Sequence, residues 1–245
     1  MQANAAVGIP QNASQVGKSI YPALGQPFQL QSLRDTANVR VAVSPNPNLG
    51  VDFAYTMANK SGYQPWGASF AFNVANELPM QLDNRTHDAN AGYEYTGEKG
   101  MFRAGWNASW FVNNMKSLVW DNAYRLTDTN PYDPSGYSNG NGPAQGRTSL
   151  PPSNNLESVN AIAMYKLPAR STLNGALTYT QMNQDDALIP WTINPVIANP
   201  SVYQQFPGLA SLPRATARAK VDDVNAMLNF TSRPNSVISF NARYR

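Results

Sequence analysis

The clearest feature of the chain is an alternation of apolar residues with polar or small residues at a period of two. This period places successive side chains on opposite faces of a β-strand. The alternation is strongest between Phe102 and Val112. Comparable patterns occur at 39–43, 49–57, 89–95, 159–167, 173–179, 224–230 and 238–244. The sequence therefore predicts about eight strands, paired in four hairpins.

The connections between these segments are of two kinds. Short connections follow every other strand, at 45–48, 97–100, 168–170 and 233–235. Long polar connections lie between them: we interpret 113–155 and 183–220 as loops and 59–84 as a long loop with some strand extension. In a series of hairpins the long connections all lie at one end. This asymmetry is typical of outer-membrane β-barrels, which have short periplasmic turns and long extracellular loops.

The predicted fold is therefore all-β, an antiparallel transmembrane β-barrel section that is part of a larger barrel. Residues 1–34 lack apolar periodicity and are expected to form a loop, whereas residues 35–245 form the barrel segment. Residues 1–10 show no signal-peptide pattern, and the alternation is still in progress at Arg245. We expect the chain to be truncated at both ends.

Composition narrows the class of protein further. The hydrophobic share is 42% and its apolar runs are short, which excludes ordinary membrane helices. Charged residues make up only 13%, and the net charge of +3 is scattered, so nucleic-acid binding gains little support. With no cysteine, the chain cannot form disulfides, thiolate metal sites or covalent haem attachments. The glycine-rich segment 140–146 lacks the Lys and Ser or Thr of a phosphate-binding loop.

The two faces of the predicted strands differ in polarity, and we expect the apolar face to contact lipid and the polar face to line a lumen. Arg40, Arg103 and Arg243 lie on the polar face. Four aromatic residues are expected near the membrane surfaces: Tyr55, Trp110, Tyr165 and Tyr179. A soluble β-sandwich or barrel, whose strands also alternate, is the alternative.

Candidate catalytic residues are few. His87 is the only histidine and has no predicted nucleophile or fellow metal ligand, so a polar residue at a strand edge is the simpler interpretation. The acid pairs Asp185–Asp186 and Asp222–Asp223 occupy adjacent positions, which point to opposite faces of a strand and do not form a catalytic dyad. They are interpreted as solvated acids, with calcium binding by the loops as a weaker alternative. We predict no catalytic, cofactor-binding or metal-binding residue and no enzymatic activity.

Six short segments occur in a distinctive order. They are Glu-Leu-Pro at 77–79, Asn-Arg-Thr-His-Asp at 84–88, Ala-Gly-Tyr-Glu-Tyr at 91–95, Leu-Val-Trp-Asp-Asn at 118–122, Gln-Asp-Asp-Ala-Leu-Ile-Pro-Trp-Thr at 184–192 and Asn-Phe-Thr-Ser-Arg-Pro at 229–234. Together they resemble the MtrB/PioB family of decahaem-associated outer-membrane proteins, over residues 33–245. Their order and spacing make the resemblance more specific than any one of them.

The resemblance implies a large porin-like barrel in the bacterial outer membrane. Such a barrel acts as a sheath that houses a periplasmic multihaem c-type cytochrome for extracellular electron transfer. An extracellular multihaem cytochrome would be a second partner, the lipid bilayer surrounds the barrel, and all haem belongs to the cytochromes. Two other hypotheses stay open: a general porin or uptake barrel with no cytochrome partner, and a surface enzyme or soluble binding module, for which no convergent acid, base or nucleophile cluster is visible.

Overall fold

The computed structural model describes residues 28–71, 74–121, 145–190, 192–194 and 212–245. These residues form ten strands. Their bounds are β1 Ser32–Asn46, β2 Leu49–Ala71, β3 Val74–Gly97, β4 Gly100–Asn113, β5 Ser117–Asp121, β6 Gln145–Ser149, β7 Asn154–Leu167, β8 Ser171–Gln184, β9 Ala219–Ser232 and β10 Phe240–Tyr244. Within this part of the chain, no helix has the length and apolar character needed to cross a membrane.

Eight of the strands form one antiparallel sheet in the order β1-β2-β3-β4-β7-β8-β9-β10. Chain neighbours are therefore sheet neighbours throughout, except where β5 and β6 form a small separate sheet within the β4–β7 connection. Short turns join β1 to β2, β3 to β4, β7 to β8 and β9 to β10. The long connections lie at the opposite end. The predicted eight strands, four hairpins and asymmetric ends are thus confirmed.

The structure differs from the sequence-based interpretation at 59–84. β2 and β3 remain paired almost to their tips, from Leu49 opposite Tyr95 to Ala71 opposite Val74. The pairing of β3 with β4 ends at Asn84 and Asn113. Beyond this point β2 and β3 continue together as a long β-ribbon that extends past the sheet. The β4–β7 connection likewise contains β5 and β6 in addition to loop. The predictions for residues 1–27 and for most of 140–146 fall outside the described residues.

The described residues bury few apolar side chains. The one cluster of buried hydrophobic residues comprises Met80, Leu82 and Leu150, with Trp66, Met115 and Leu118 packed against it. It lies beyond the end of β4, among the long connections. The eight-stranded sheet is not covered by a second layer on either face among the described residues. A soluble sandwich would bury one face of each sheet against another layer, whereas a barrel section has lipid on one face and a lumen on the other.

Candidate functional site: the polar inner face

One face of the sheet is polar along its whole width. Residues directly opposite in the register share a face, and one such row contains Asn90, Asn107, Ser158 and Thr180 on four successive strands of the sheet. The Ser158 and Thr180 hydroxyls are hydrogen bonded at 2.9 Å. The side chains of this row are neutral and form a hydrogen-bonding wall.

The polar face is also the concave face. A cavity of about 350 Å³ lies against it. Its lining comes from five strands of the sheet and includes Asp52, Asn90, Gly92, Arg103, Gly105, Asn107, Asn160, Ile162, Ala176 and Thr178. A pocket that is lined by so many strands of one sheet requires the sheet to curl around that face. The polar face therefore lines the inside of the barrel section.

Two glycines shape the middle of this inner face. Gly92 and Gly105 are register partners on β3 and β4. A Cβ atom on Gly92 would overlap the Asp52 carboxylate, and one on Gly105 would lie 2.7 Å from Asn160 Oδ1. The side chains of Asp52 and Asn160 thus lie flat over the glycine positions. Glycine inside a strand often marks such a close approach, and this signal was available in the sequence, although the prediction did not use it.

The three arginines predicted on the polar face are there. Arg103 stands opposite Glu94, Arg40 opposite Ala54 and Arg243 opposite Asn229. Each arginine lies at the same alternate positions of its strand as the neutral inner-face residues, so its side chain is on the inner face. The inner face therefore carries cations and anions dispersed among neutral residues.

The outer face consists largely of apolar side chains that nothing in the described chain covers. Val39 is 58% exposed and Val224 is 67% exposed. One row across the sheet contains Val41, Phe53, Ala91, Trp106, Val159, Tyr179 and Val224. Monomeric soluble proteins rarely expose an apolar surface of this extent. Lipid is the medium that such a face requires.

Aromatic side chains lie at both edges of the apolar outer face. At the loop end, Tyr55 Oη and His87 Nδ1 are 2.6 Å apart, and Trp106 and Trp110 have ring centroids 6.2 Å apart. At the turn end, Tyr165 and Phe230 both stand opposite Leu173. Amphipathic rings are favoured where hydrocarbon meets water, so the four predicted interfacial residues occupy the expected face. His87 lies in this loop-end edge, opposite Trp110.

The apolar band is staggered across the sheet. On β4 it extends past Trp110, whose register partner on β7 is Asn155, to Val112. On β7 it ends nearer the turns, at Val159, which pairs with Trp106. Strands of a membrane barrel are tilted relative to the membrane normal. Register partners on neighbouring strands then lie at different depths in the membrane, so the apolar band is displaced along each successive strand. The stagger is the pattern expected for a closed, sheared barrel.

The four predicted solvated acids have different surroundings. Asp222 accepts hydrogen bonds from Tyr179 Oη at 2.7 Å and Gln181 Nε2 at 3.0 Å, and its strand neighbour Asp223 faces the opposite side. Asp185 and Asp186 follow the end of β8 in the long connection. Neither pair has the two carboxylates on one face of a strand. The described residues contain no group of three or more His, Cys, Asp and Glu side chains that could hold a metal ion. The lack of catalytic and cofactor residues stays a prediction.

Asp185 and Asp186 fasten the long connections. Asp185 accepts from the Arg218 backbone N–H at 3.1 Å, and a hydrogen bond from the Thr216 side chain is the main reason that the pKa of Asp185 lies below its ordinary value. The pKa of Asp186 is also lowered, chiefly by its hydrogen bond from Lys116. Both residues belong to the segment 184–192, so this part of the family resemblance stabilises loop structure rather than the lipid-facing strands.

Comparison with family models gives one match. Residues 2–245 match the family described as outer membrane beta-barrel porin, MtrB/PioB. Comparison with curated protein sequences yields no match. The family match agrees with the sheet order, the apolar outer face and the polar concave face. The chain belongs to the MtrB/PioB family of outer-membrane β-barrel porins and forms a section of such a barrel in the bacterial outer membrane.

Proposed function

We propose that this barrel section is part of a sheath that houses a periplasmic multihaem c-type cytochrome, so that electrons cross the outer membrane. The main observation in support is the character of the inner face. At its centre, small residues such as Gly92, Gly105 and Ala176 lie among amides and hydroxyls, with Asp52 and Arg103 as dispersed charges. A wall of this kind can approach a folded protein closely, and it can exchange hydrogen bonds with a hydrated protein surface.

The composition of the chain supports the assignment of all haem to the cytochrome. Covalent c-type haem needs cysteine thiols, and the sequence has none, while its one histidine, His87, lies on the outer face. Redox centres would therefore belong to the enclosed cytochrome, and the barrel would insulate them from lipid. An extracellular multihaem cytochrome would receive or supply the electrons at the loop end.

Purification of the complete protein from its natural membranes tests this proposal. We expect haem absorbance to co-elute with the barrel at a fixed stoichiometry. In liposomes, the complex should pass electrons between an external donor and an enclosed redox dye. A barrel that is free of haem in cells that make multihaem cytochromes, and that conducts ions as an open pore, would instead establish the general porin.

A matched pair of substitutions makes the test specific to the inner face. Thr178 lines the inner concave face, and its neighbour Leu177 points outward and is 52% exposed. Thr178→Trp introduces bulk into the lumen, so the haem content of the purified complex should fall. Leu177→Trp adds the same bulk on the lipid side and should leave the haem content unchanged. Equal effects of the two variants would contradict the sheath.

A further inference from the structure

The β2–β3 ribbon carries its buried apolar residues on the inner face. Along β3, Leu82 and Met80 continue the alternation of Asn90 and Asn84, so they lie on the lumen side of the ribbon just beyond the sheet. They are 7% and 5% exposed. Whatever buries them must approach from the lumen side.

The β4–β7 connection supplies that cover. Leu150, which is 7% exposed, belongs to the same cluster, and Met115 and Leu118 pack against it. All three residues lie between β4 and β7. The connection therefore leans inward over the barrel mouth instead of pointing away from it.

Hydrogen bonds hold the two ends of this connection together at the top of β4. Asn113 is 5% exposed, its Nδ2 donates to the Pro151 carbonyl at 2.8 Å, and its Oδ1 accepts from the Met115 N–H at 3.1 Å. The Asn113 N–H donates to Ser153 Oγ at 3.1 Å. A buried amide that is satisfied in this way fixes one arrangement of the chain, because losing any partner leaves a polar group without solvent.

The β8–β9 connection is fastened to the same structure. Asn194 is 5% exposed; its Oδ1 accepts the Gln145 backbone N–H at 2.9 Å, and its Nδ2 donates to the Gln145 carbonyl at 2.9 Å. Arg147 donates to the Pro190 carbonyl. Lys116 pairs with Asp186 at 2.8 Å. We call this assembly, residues 114–121, 145–153, 185–190 and 192–194, the loop cap.

We propose that the loop cap is a folded permeability barrier that narrows the outer mouth of the barrel and restricts the passage of hydrated solutes. Three features support it: an apolar cluster on the lumen side, buried amides that fix its fold, and an ion pair that joins two connections. Loops that only extended into the medium would need none of them. The proposal does not depend on whether the lumen houses a cytochrome.

The test uses the complete barrel, refolded without any cytochrome in planar lipid bilayers. Leu82→Asp places a charge in the apolar cluster and should raise the single-channel conductance several-fold. Gln81→Asp makes the same change one residue away, on the opposite and exposed side of the ribbon, and should leave the conductance at the wild-type value. An unchanged conductance for Leu82→Asp, with proteolysis showing that residues 145–153 are released, would overturn the proposal.

A cross-link provides a second, independent measurement. Residues 1–245 contain no cysteine, so once any cysteine elsewhere in the complete protein has been replaced, Lys116→Cys with Asp186→Cys can be joined selectively by a short bifunctional maleimide. We expect the joined protein to keep the low conductance under mild denaturant that opens the wild-type cap. If the joined and wild-type proteins open alike, the cap is not the barrier. Should Leu82→Asp fail to assemble, Leu82→Ala replaces it, and a conductance equal to that of Gln81→Ala would overturn the proposal.

Discussion

The Asp186 carboxylate accepts a hydrogen bond from Lys116 Nζ at 2.8 Å, across 70 positions of sequence. The same oxygen accepts the Ser153 backbone N–H at 2.7 Å. One side chain therefore joins the connection after β8 to both ends of the connection after β4. In an outer-membrane barrel, this contact organises the extracellular side of the molecule.

The first prediction concerns acid sensitivity of the loop cap. Because the pKa of Asp186 is lowered from its ordinary value of 3.8, its stabilising contribution is fully present above that value. The contribution is lost as the pH falls through the lowered pKa. The protection of residues 145–153 from hydrogen exchange, measured relative to the intrinsic exchange rate at each pH, should stay high from neutral to mildly acidic pH and fall only below about pH 4.

The variant Asp186→Asn isolates this effect. It should show lower protection of residues 145–153 from exchange at neutral pH, with a smaller further loss of protection in acid. Asp121→Asn, which affects a different loop carboxylate bonded to Gln145, serves as the control and should keep the wild-type acid response. An acid response in Asp186→Asn equal to that of the wild type would contradict the assigned role.

The second prediction distinguishes the two faces of the sheet. Ala161 is an outward residue inside the apolar band of β7, between Val159 and Tyr165, whereas Asn160 lies next to it on the inner face. Ala161→Arg should destabilise the complete barrel in lipid vesicles by about 2–4 kcal/mol, because a guanidinium on the lipid face is poorly solvated. Asn160→Arg should cost less than about 1 kcal/mol. Denaturant titration followed by tryptophan fluorescence measures both, and equal costs would be incompatible with this orientation.

The third prediction compares two glycines. A Cβ atom on Gly100 would overlap the Met164 backbone carbonyl, which cannot move without shifting β7, whereas one on Gly105 would meet only the Asn160 side chain. Gly100→Ala should therefore cost about 1–3 kcal/mol of stability, and Gly105→Ala clearly less. The double variant Gly105→Ala with Asn160→Ala should recover the Gly105→Ala loss. Failure of that recovery would show that the close approach is not what requires glycine.

The fourth prediction concerns the aromatic edge at the loop end. Tyr55→Phe removes the hydrogen bond to His87 Nδ1 but keeps the ring, so the barrel should lose about 0.5–1.5 kcal/mol of stability. Tyr165→Phe, at the turn end, is the matched control, since the Tyr165 hydroxyl makes no hydrogen bond within the described part of the chain. The same denaturant titration applies. A larger loss for Tyr165→Phe would argue against the Tyr55–His87 interaction.

The strands were predictable because lipid on one face and a polar lumen on the other require an alternation of apolar and polar residues. Each spanning strand must present apolar groups to lipid and polar groups to the lumen, so the alternation from Phe102 to Val112 encodes both the strand and its orientation. The short turns follow from local backbone preferences. The positions of Arg40 and Arg103 on the inner face follow from the alternation of side chains between the two faces of a strand.

The β2–β3 ribbon was not predictable from the same rules. Pro65 and Pro79 stand opposite each other within it, and proline normally indicates a break in a strand. Proline is tolerated where one side of a strand has no neighbour. Among the described residues this holds for Pro65, since the pairing of β1 with β2 ends at Ser32 and Gly62. Only the tertiary arrangement reveals that free side.

The loop cap was also beyond sequence-based prediction. Its contacts, such as Lys116 with Asp186 and Gln145 with Asn194, join residues that are far apart in the sequence and follow no periodicity. Polar connections carry no amphipathic signal from which their packing could be derived. The segment 184–192 carried part of the family resemblance, but it gave no indication of the residues that it contacts.

The orientation of the two faces is tested most directly by spin-label accessibility at Leu177 and Thr178 in the complete barrel, reconstituted in lipid without a cytochrome. Residues 1–245 contain no cysteine, so nitroxides on Leu177→Cys and Thr178→Cys can be placed singly once any cysteine elsewhere in the complete protein has been replaced. We expect oxygen, which concentrates in the bilayer, to relax the label at 177, and a water-soluble nickel complex to relax the label at 178. Equal accessibility at both positions, or the reverse preference, would contradict a lipid-facing apolar surface and a polar lumen.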